Sequence, residues 1–233
     1  MWLYDDALSQ VAYDDDGGID YYPCITTTLS SGTYYVRANC FLSNAILSSY
    51  EIVLTGAPPD FSQALAVGWN LVSIPRIPAT PAIDAYLASI EGLYDSVMSY
   101  ENATQTWLSY NPAAPEPSNT LTTLDESTPF WINLLAPATL IVGGEIPTHT
   151  EQPLAPGWNL IAYPAQDARQ ISIALDSIAD HYASVYTFSP ETESAWLRYN
   201  ADRPPWTNSL TTLSPGTAYW VEVNEACTLM IDD

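Results

Sequence analysis

Apolar residues follow two different spacings along this 233-residue chain, and the switch between them marks its elements. In Tyr219-Trp220-Val221-Glu222-Val223 and in Phe130-Trp131-Ile132-Asn133-Leu134 every second residue is apolar on one face, the period of a strand. Ile83, Tyr86, Leu87 and Ile90 instead recur at i, i+3, i+4 and i+7, the stripe of a short amphipathic helix. Thr80-Pro81 provides its start signal and Gly92 its stop, and Ile171, Ala174, Leu175 and Ile178 repeat the stripe. The remaining apolar segments are short, rich in β-branched and aromatic residues, and punctuated by Pro, Asn, Ser and Gly, as strands are.

The pattern also repeats. Adding 89 to a residue number carries Leu65-Ala66-Val67-Gly68-Trp69-Asn70-Leu71 onto Leu154-Ala155-Pro156-Gly157-Trp158-Asn159-Leu160. The same step carries Trp107-Leu108-Ser109-Tyr110-Asn111 onto Trp196-Leu197-Arg198-Tyr199-Asn200, and Trp131 onto Trp220, with a local slip to 88 around the helix. Such self-similarity is the signature of tandem structural units. The boundaries predicted are an N-terminal unit at 1–57, a first module at 63–145 and a second at 152–233. Linkers are read at Gly56-Ala57-Pro58-Pro59-Asp60 and Gly143-Gly144-Glu145-Ile146-Pro147. Each module reads as a strand, a helix, then three or four strands.

In the N-terminal unit, strands are predicted at 2–4, 21–29, 33–41 and 49–55. An acidic loop, Asp14-Asp15-Asp16-Gly17-Gly18, precedes Leu29-Ser30-Ser31-Gly32-Thr33-Tyr34-Tyr35-Val36 and Tyr50-Glu51-Ile52-Val53-Leu54. This order resembles the second half of the bacterial pre-peptidase C-terminal domain, over about 55 residues; the family's first half has no counterpart here. The resemblance implies a partial β-sandwich of the kind appended to secreted proteases and used to hold insoluble polymer. The repeats are similar to the Gly-Trp-Asn-Leu repeats of large bacterial and archaeal surface proteins. The expected fold is thus mainly β: a partial β-sandwich followed by two tandem β-rich modules, each with one short helix. Leu29-x-x-Gly32-Thr33-x-Tyr35 recurs as Leu213-x-x-Gly216-Thr217-x-Tyr219, where Gly permits a tight turn and Tyr can bond back across the corner.

Composition narrows the function. Hydrophobic residues at 47% and aromatics at 12% are enough to build a core. Against 27 acidic residues stand five basic ones, all arginine, for a formal charge of −22. Such a chain repels phosphate backbones and anionic lipid heads, so neither nucleic acid nor membrane insertion is expected. No apolar run reaches the length of a membrane span, and the N-terminus lacks a signal peptide, so an export signal would lie upstream.

Catalytic constellations are sparse. The two histidines, His149 and His181, are unrepeated and outside any metal-ligand spacing, and there is no lysine or nucleophile elbow. Acidic positions are mostly not shared between copies: Asp125 and Glu126 face Ser214 and Pro215, which reads as solvated surface. No catalytic residue and no organic cofactor is expected. The candidate metal ligands are Asp14, Asp16 and Asp20, whose oxygens at a glycine-permitted turn suit calcium; the competing reading is a solvated acidic turn. Cys24 and Cys40 can pair in an oxidising compartment or stand as two buried thiols. Cys227 aligns with Ala138 and is expected to be a free thiol in a small buried site. Asn102-Ala103-Thr104 is a single glycosylation sequon.

Tryptophan carries the functional expectation. Alternation puts Trp131 and Trp220 on the polar face of their strands, and Trp107 with Ser109 and Trp196 with Arg198 likewise. These four are candidate interaction residues, facing a protein or sugar, unless a loop such as 112–119 folds over them. Trp69 and Trp158, in near-continuous apolar runs, are expected in the core. The reading is an extracellular or cell-surface structural or adhesive protein, a subunit of a surface layer, appendage or filament. Its partners would be itself or another surface protein, with strand complementation completing the partial sandwich. The alternative is a non-catalytic accessory region that holds a secreted hydrolase on polysaccharide or protein polymer; a stand-alone glycosidase comes last.

Overall fold

The computed structural model describes residues 1–15, 24–25, 27, 33–38, 58–192 and 195–233. It is mainly β, with two short helices and several antiparallel sheets. The chain divides into two compact units, Met1–Thr55 and Gly56–Asp233.

In the first unit β1 (Trp2–Tyr4) lies between β2 (Gln10–Tyr13) and β3 (Tyr35–Arg37), both antiparallel to it. Here β1 and the part of β3 inside 33–41 fall where alternation placed strands, whereas β2 was not expected. Trp2 packs on Tyr13 with ring centroids 5.0 Å apart, and the Arg37 guanidinium lies 5.6 Å over its ring. The strands expected at 21–29 and 49–55 lie largely or wholly outside the described residues.

Both repeats fall in the second unit and share one plan. The first runs β4 (Phe61–Leu65), β5 (Gly68–Ser73), α1 (Ile83–Tyr86), β6 (Tyr94–Glu101), β7 (Thr106–Tyr110), β8 (Phe130–Leu134) and β9 (Ala138–Val142). The second runs β10 (His149–Leu154), β11 (Gly157–Ile161), β12 (Arg169–Gln170), α2 (Ile171–Ala174), β13 (Tyr182–Phe188), β14 (Trp196–Asn200), β15 (Thr212–Leu213), β16 (Gly216–Thr217), β17 (Tyr219–Val223) and β18 (Cys227–Asp232). In the first repeat the sheet order β5-β8-β6-β7 is matched by β11-β17-β13-β14 in the second. The first and last strands pair as a separate ribbon, β4 with β9 and β10 with β18.

Each repeat encloses its own core between sheet, ribbon and helix. Ile83, Tyr86, Leu87 and Ile90 bury against Phe130, Ile132 and Leu140 in the first, and Ile171, Leu175 and Ile178 against Tyr219, Val221 and Leu229 in the second. The helical stripe is real but brief: one α-turn continued by a 3-10 turn, ended at Gly92 with φ of 74° in the first copy. Cys227 is a free, half-buried thiol packed on the second core, as Ala138 packs on the first. Burial and the nearby Glu225 push that thiol's pKa up, which disfavours the thiolate.

The Gly-Trp-Asn-Leu signature can be taken apart residue by residue. Gly68 and Gly157 sit at φ of 85° and 98°, a left-handed conformation that side chains resist. Asn70 closes the turn before β5: its side chain accepts from the Ala66 N–H at 2.9 Å and donates to the carbonyls of Ala66 and Gly68. Asn159 makes the same three bonds with Ala155 and Gly157. Both asparagines are buried, so these bonds satisfy polar groups that water cannot reach. Leu71 and Leu160 point to the opposite face from the asparagines and are buried there in a third apolar cluster, distinct from either core. The tyrosine corner also forms: the Tyr219 hydroxyl accepts from the Ser214 N–H at 2.7 Å, and burial pushes its pKa up to about 12.

The linker at 143–147 is not a free tether. Ile77 and Glu145 exchange two backbone hydrogen bonds, at 2.8 and 3.0 Å. Asp125 departs from the reading of unshared acids as solvated surface, since its Oδ1 accepts from the Ser127 N–H and from the hydroxyls of Ser127 and Thr128, holding the turn before β8.

Candidate functional site

Strand alternation fixes which side chains leave each core. On the first sheet Trp69, Leu71, Trp131, Met98, Tyr100 and Trp107 share the outer face; their equivalents on the second are Trp158, Leu160, Trp220, Tyr186, Phe188 and Trp196. These two outer faces pack against each other. Leu71, Leu160 and Ala218 are buried between them, flanked by Tyr100, Trp131, Phe188 and Trp220.

The seam is nearly two-fold symmetric. Trp220 reaches across to Tyr100 at 5.2 Å and to Trp107 at 5.8 Å between centroids. Trp131 reaches the other way, to Phe188 at 5.2 Å and Trp196 at 5.9 Å. Within each repeat Tyr100 meets Trp107 and Phe188 meets Trp196, at 5.2 and 5.4 Å. Interplanar angles in these six pairs run from 55° to 71°, the tilted and edge-on arrangements that ring quadrupoles favour.

Polar contacts break the symmetry. The Asn102 side chain donates to the Leu160 carbonyl and accepts from the Leu160 N–H, both at 2.9 Å, and so occupies the edge of β11. On the other side β16, from the second repeat, adds a short strand to β5, pairing Gly216 with Ser73 and Thr217 with Val72. Ser73 Oγ accepts from the Tyr163 N–H, and the Arg76 guanidinium donates to Gln166 Oε1 at 2.5 Å. The repeats are therefore joined by backbone pairing as well as by rings.

All four candidate tryptophans thus meet at one seam, where Trp131 and Trp220 are half-buried while Trp107 and Trp196 keep 45% of their surface exposed. What covers them is the other repeat; the loop at 112–119 is held instead on its own strand, by Asn119 bonded to Asn111. Trp69 and Trp158 correct the core expectation: each is 39% exposed. The reason is parity, since Asn70 and Asn159 take the inward position in the motif and turn the neighbouring indoles out. Trp206, 84% exposed on a 3-10 turn, lies outside the repeat matches and had no signal in them.

Between the repeats the outer rings leave an open cup of about 530 Å³, lined by Tyr100, Trp158, Tyr186, Trp196 and Trp220. Its wall is almost wholly aromatic carbon, and Trp158 and Tyr186 meet in it at 5.6 Å and 68°. A second cleft of about 380 Å³ is lined in part by Asn70, Thr187, Gly216 and Tyr219. Asn70, Thr187 and Tyr219 there are committed to internal hydrogen bonds, so it reads as a structural gap.

The other candidates are placed less fully. Asp14 Oδ2 accepts from the Cys24 N–H at 2.6 Å. Asp16 and Asp20, its expected partners in calcium binding, lie outside the described residues, as does Cys40; Cys24 is exposed. Among the described residues no three His, Cys, Asp or Glu side chains gather in a metal-ligating group. His149 is on β10, between Asp232 at 2.6 Å and Glu151 at 3.2 Å, and those hydrogen bonds raise its pKa. His181 pairs with Glu225 at 2.9 Å. No helix among the described residues is long and apolar enough to cross a membrane. Comparisons with family models, curated proteins and solved structures found no match to the chain.

Proposed function

We propose that this chain is a non-catalytic adhesive or structural module of the cell exterior, which makes its contacts through the aromatic rim of the fused repeat pair. The observation that carries this reading is the concentration of exposed indoles there: Trp69, Trp107, Trp158 and Trp196 ring a seam that already holds the body together. Exposed aromatic area on this scale is uncommon on a protein with no partner. Fusion of the repeats gives the rim a fixed shape, which adhesion under load requires and a flexible tether does not supply. The resemblance of the repeats to those of surface proteins, and the high negative charge, agree with an extracellular setting.

Assembly into a layer, appendage or filament is the specific form proposed. Among the described residues β2 and β3 flank β1 and are almost all exposed, and strands so placed are ones another chain could extend. Sedimentation of the full chain across a hundredfold concentration range tests this form, which requires growth of higher oligomers. A chain that stays monomeric while being retained on chitin, cellulose or collagen would favour the alternative, an accessory region that anchors a secreted hydrolase. A monomer retained on none of them would overturn both.

A further inference from the structure

The cup lined by Tyr100, Trp158, Tyr186, Trp196 and Trp220 has a geometry that selects among ligands. A pyranose ring stacks on one flat face and takes its orientation from hydrogen-bonding groups set around it. Here the neighbouring rings are steeply inclined, 57° between Tyr100 and Trp220 and 68° between Trp158 and Tyr186, and nearly all the lining is carbon. Neither of these ring pairs is coplanar, and the lining offers almost no polar surface to orient a sugar. Five aromatic side chains lining one volume at steep mutual angles suit a compact, weakly hydrated cation, which ring quadrupoles attract.

Charge points the same way. Residues 56–233 carry 20 acidic side chains against four arginines. Such a field concentrates cations near the surface and repels anions. On the same sheet face Glu222 stands opposite Trp158 in register, and the exposed Arg198 stands opposite Tyr186, so the local charges roughly balance and the wider field sets the sign. A second copy of this chain could not supply the cation as a lysine, because the sequence has none.

We propose that this cup binds the quaternary ammonium head of a small organic cation of the choline type, carried free or on a surface polymer. The proposal rests on the binding role given above to the aromatic rim and names the ligand class for it. Tyr186 is the residue that makes the cage: the first repeat has Met98 at the equivalent position, opposite Trp131 as Tyr186 is opposite Trp220. Loss of that ring leaves Trp158 without its inclined partner.

The test titrates the full chain with choline chloride, with its neutral isostere 3,3-dimethylbutanol and with cellohexaose, read by tryptophan fluorescence and calorimetry. Choline should bind saturably and at least about tenfold more tightly than the isostere, since only the cation gains the ring attraction. Tyr186→Met and Trp158→Ala should each weaken choline by about fivefold or more, with the unfolding midpoint checked in parallel; Tyr186→Phe should retain most of the affinity. Equal affinity for choline and the isostere, or binding of cellohexaose in place of choline, would overturn the assignment. So would the absence of choline binding by a chain that still adheres to polymer or to itself, an outcome that leaves the adhesive reading standing.

Discussion

If the repeats are fused by their outer rings, removing Trp220 must weaken both repeats at once. Its indole makes two ring pairs across the seam, with Tyr100 and Trp107. Pairs of this kind contribute about 0.5–1.5 kcal/mol each beyond area burial, or roughly 1–3 kcal/mol for two. Truncating a fully buried tryptophan costs about 3–5 kcal/mol in all, and Trp220 is only half-buried, so Trp220→Ala should cost about 3 kcal/mol. With a urea m-value of about 2–3 kcal/mol/M, that moves the midpoint down by roughly 1–1.5 M. The decisive quantity is the coupling with Tyr100, which belongs to the other repeat. A double-mutant cycle of Tyr100→Ala and Trp220→Ala, followed by far-UV circular dichroism in urea, should return about 1 kcal/mol. Trp206→Ala is the control for loss of an exposed indole and should stay within about 0.5 kcal/mol of the parent. A coupling under about 0.3 kcal/mol would refute the reasoning, because Trp220 would then be acting within its own repeat.

Three further outcomes follow from named contacts. Asn102→Ala leaves the Leu160 N–H and carbonyl unpaired in a part-buried edge and should cost about 1–3 kcal/mol; for the same reason Asn102, though within a sequon, should be unglycosylated by mass spectrometry on folded protein from a glycosylating host. Gly144→Ala should destabilise clearly more than Gly68→Ala in urea titrations: both positions have positive φ, which a side chain resists, but a Cβ at Gly144 would also sit 2.1 Å from the Ile77 carbonyl oxygen, a backbone atom that cannot swing aside, while one at Gly68 meets nothing within 4 Å. His149 should titrate above its ordinary 6.5 by NMR. Because its folded pKa is raised, the stabilisation from Asp232 and Glu151 is fully present below 6.5 and is lost as pH climbs through the folded value, so His149→Asn should matter at pH 5.5 and not at pH 9. A midpoint at or below 6.5 would contradict it.

Much of the second unit was legible before any coordinates. The helical stripes at 83–90 and 171–178, the glycine stop, the strand periods of β8 and β17 and the tyrosine corner all follow from local spacing, because each depends on neighbours a few residues away, and the place of Cys227 follows from its match to Ala138 in the other copy. The outward side of Trp107, Trp131, Trp196 and Trp220 was legible for the same reason. Trp69 and Trp158 were misread because their motif is apolar on both sides of an asparagine. Only the buried turn bonds of Asn70 and Asn159 reveal that the polar residue, and not the indole, points inward.

By itself, then, the sequence determined that the second unit holds two copies of one mainly β plan with a short helix in each, and that Trp107, Trp131, Trp196 and Trp220 leave their cores. What only the tertiary structure decided is where those rings go. Alternation reports a side chain's direction relative to its own sheet, and says nothing of what stands beyond that face. Whether the outer face of one repeat meets water, a loop or its twin depends on how the chain between them returns, here through the Ile77–Glu145 bridge, the Asn102 amide on β11 and the loan of β16 to β5. Those contacts join residues roughly 60 to 140 positions apart, beyond the reach of any local period, and they convert two outward faces into one seam with a cup at its edge.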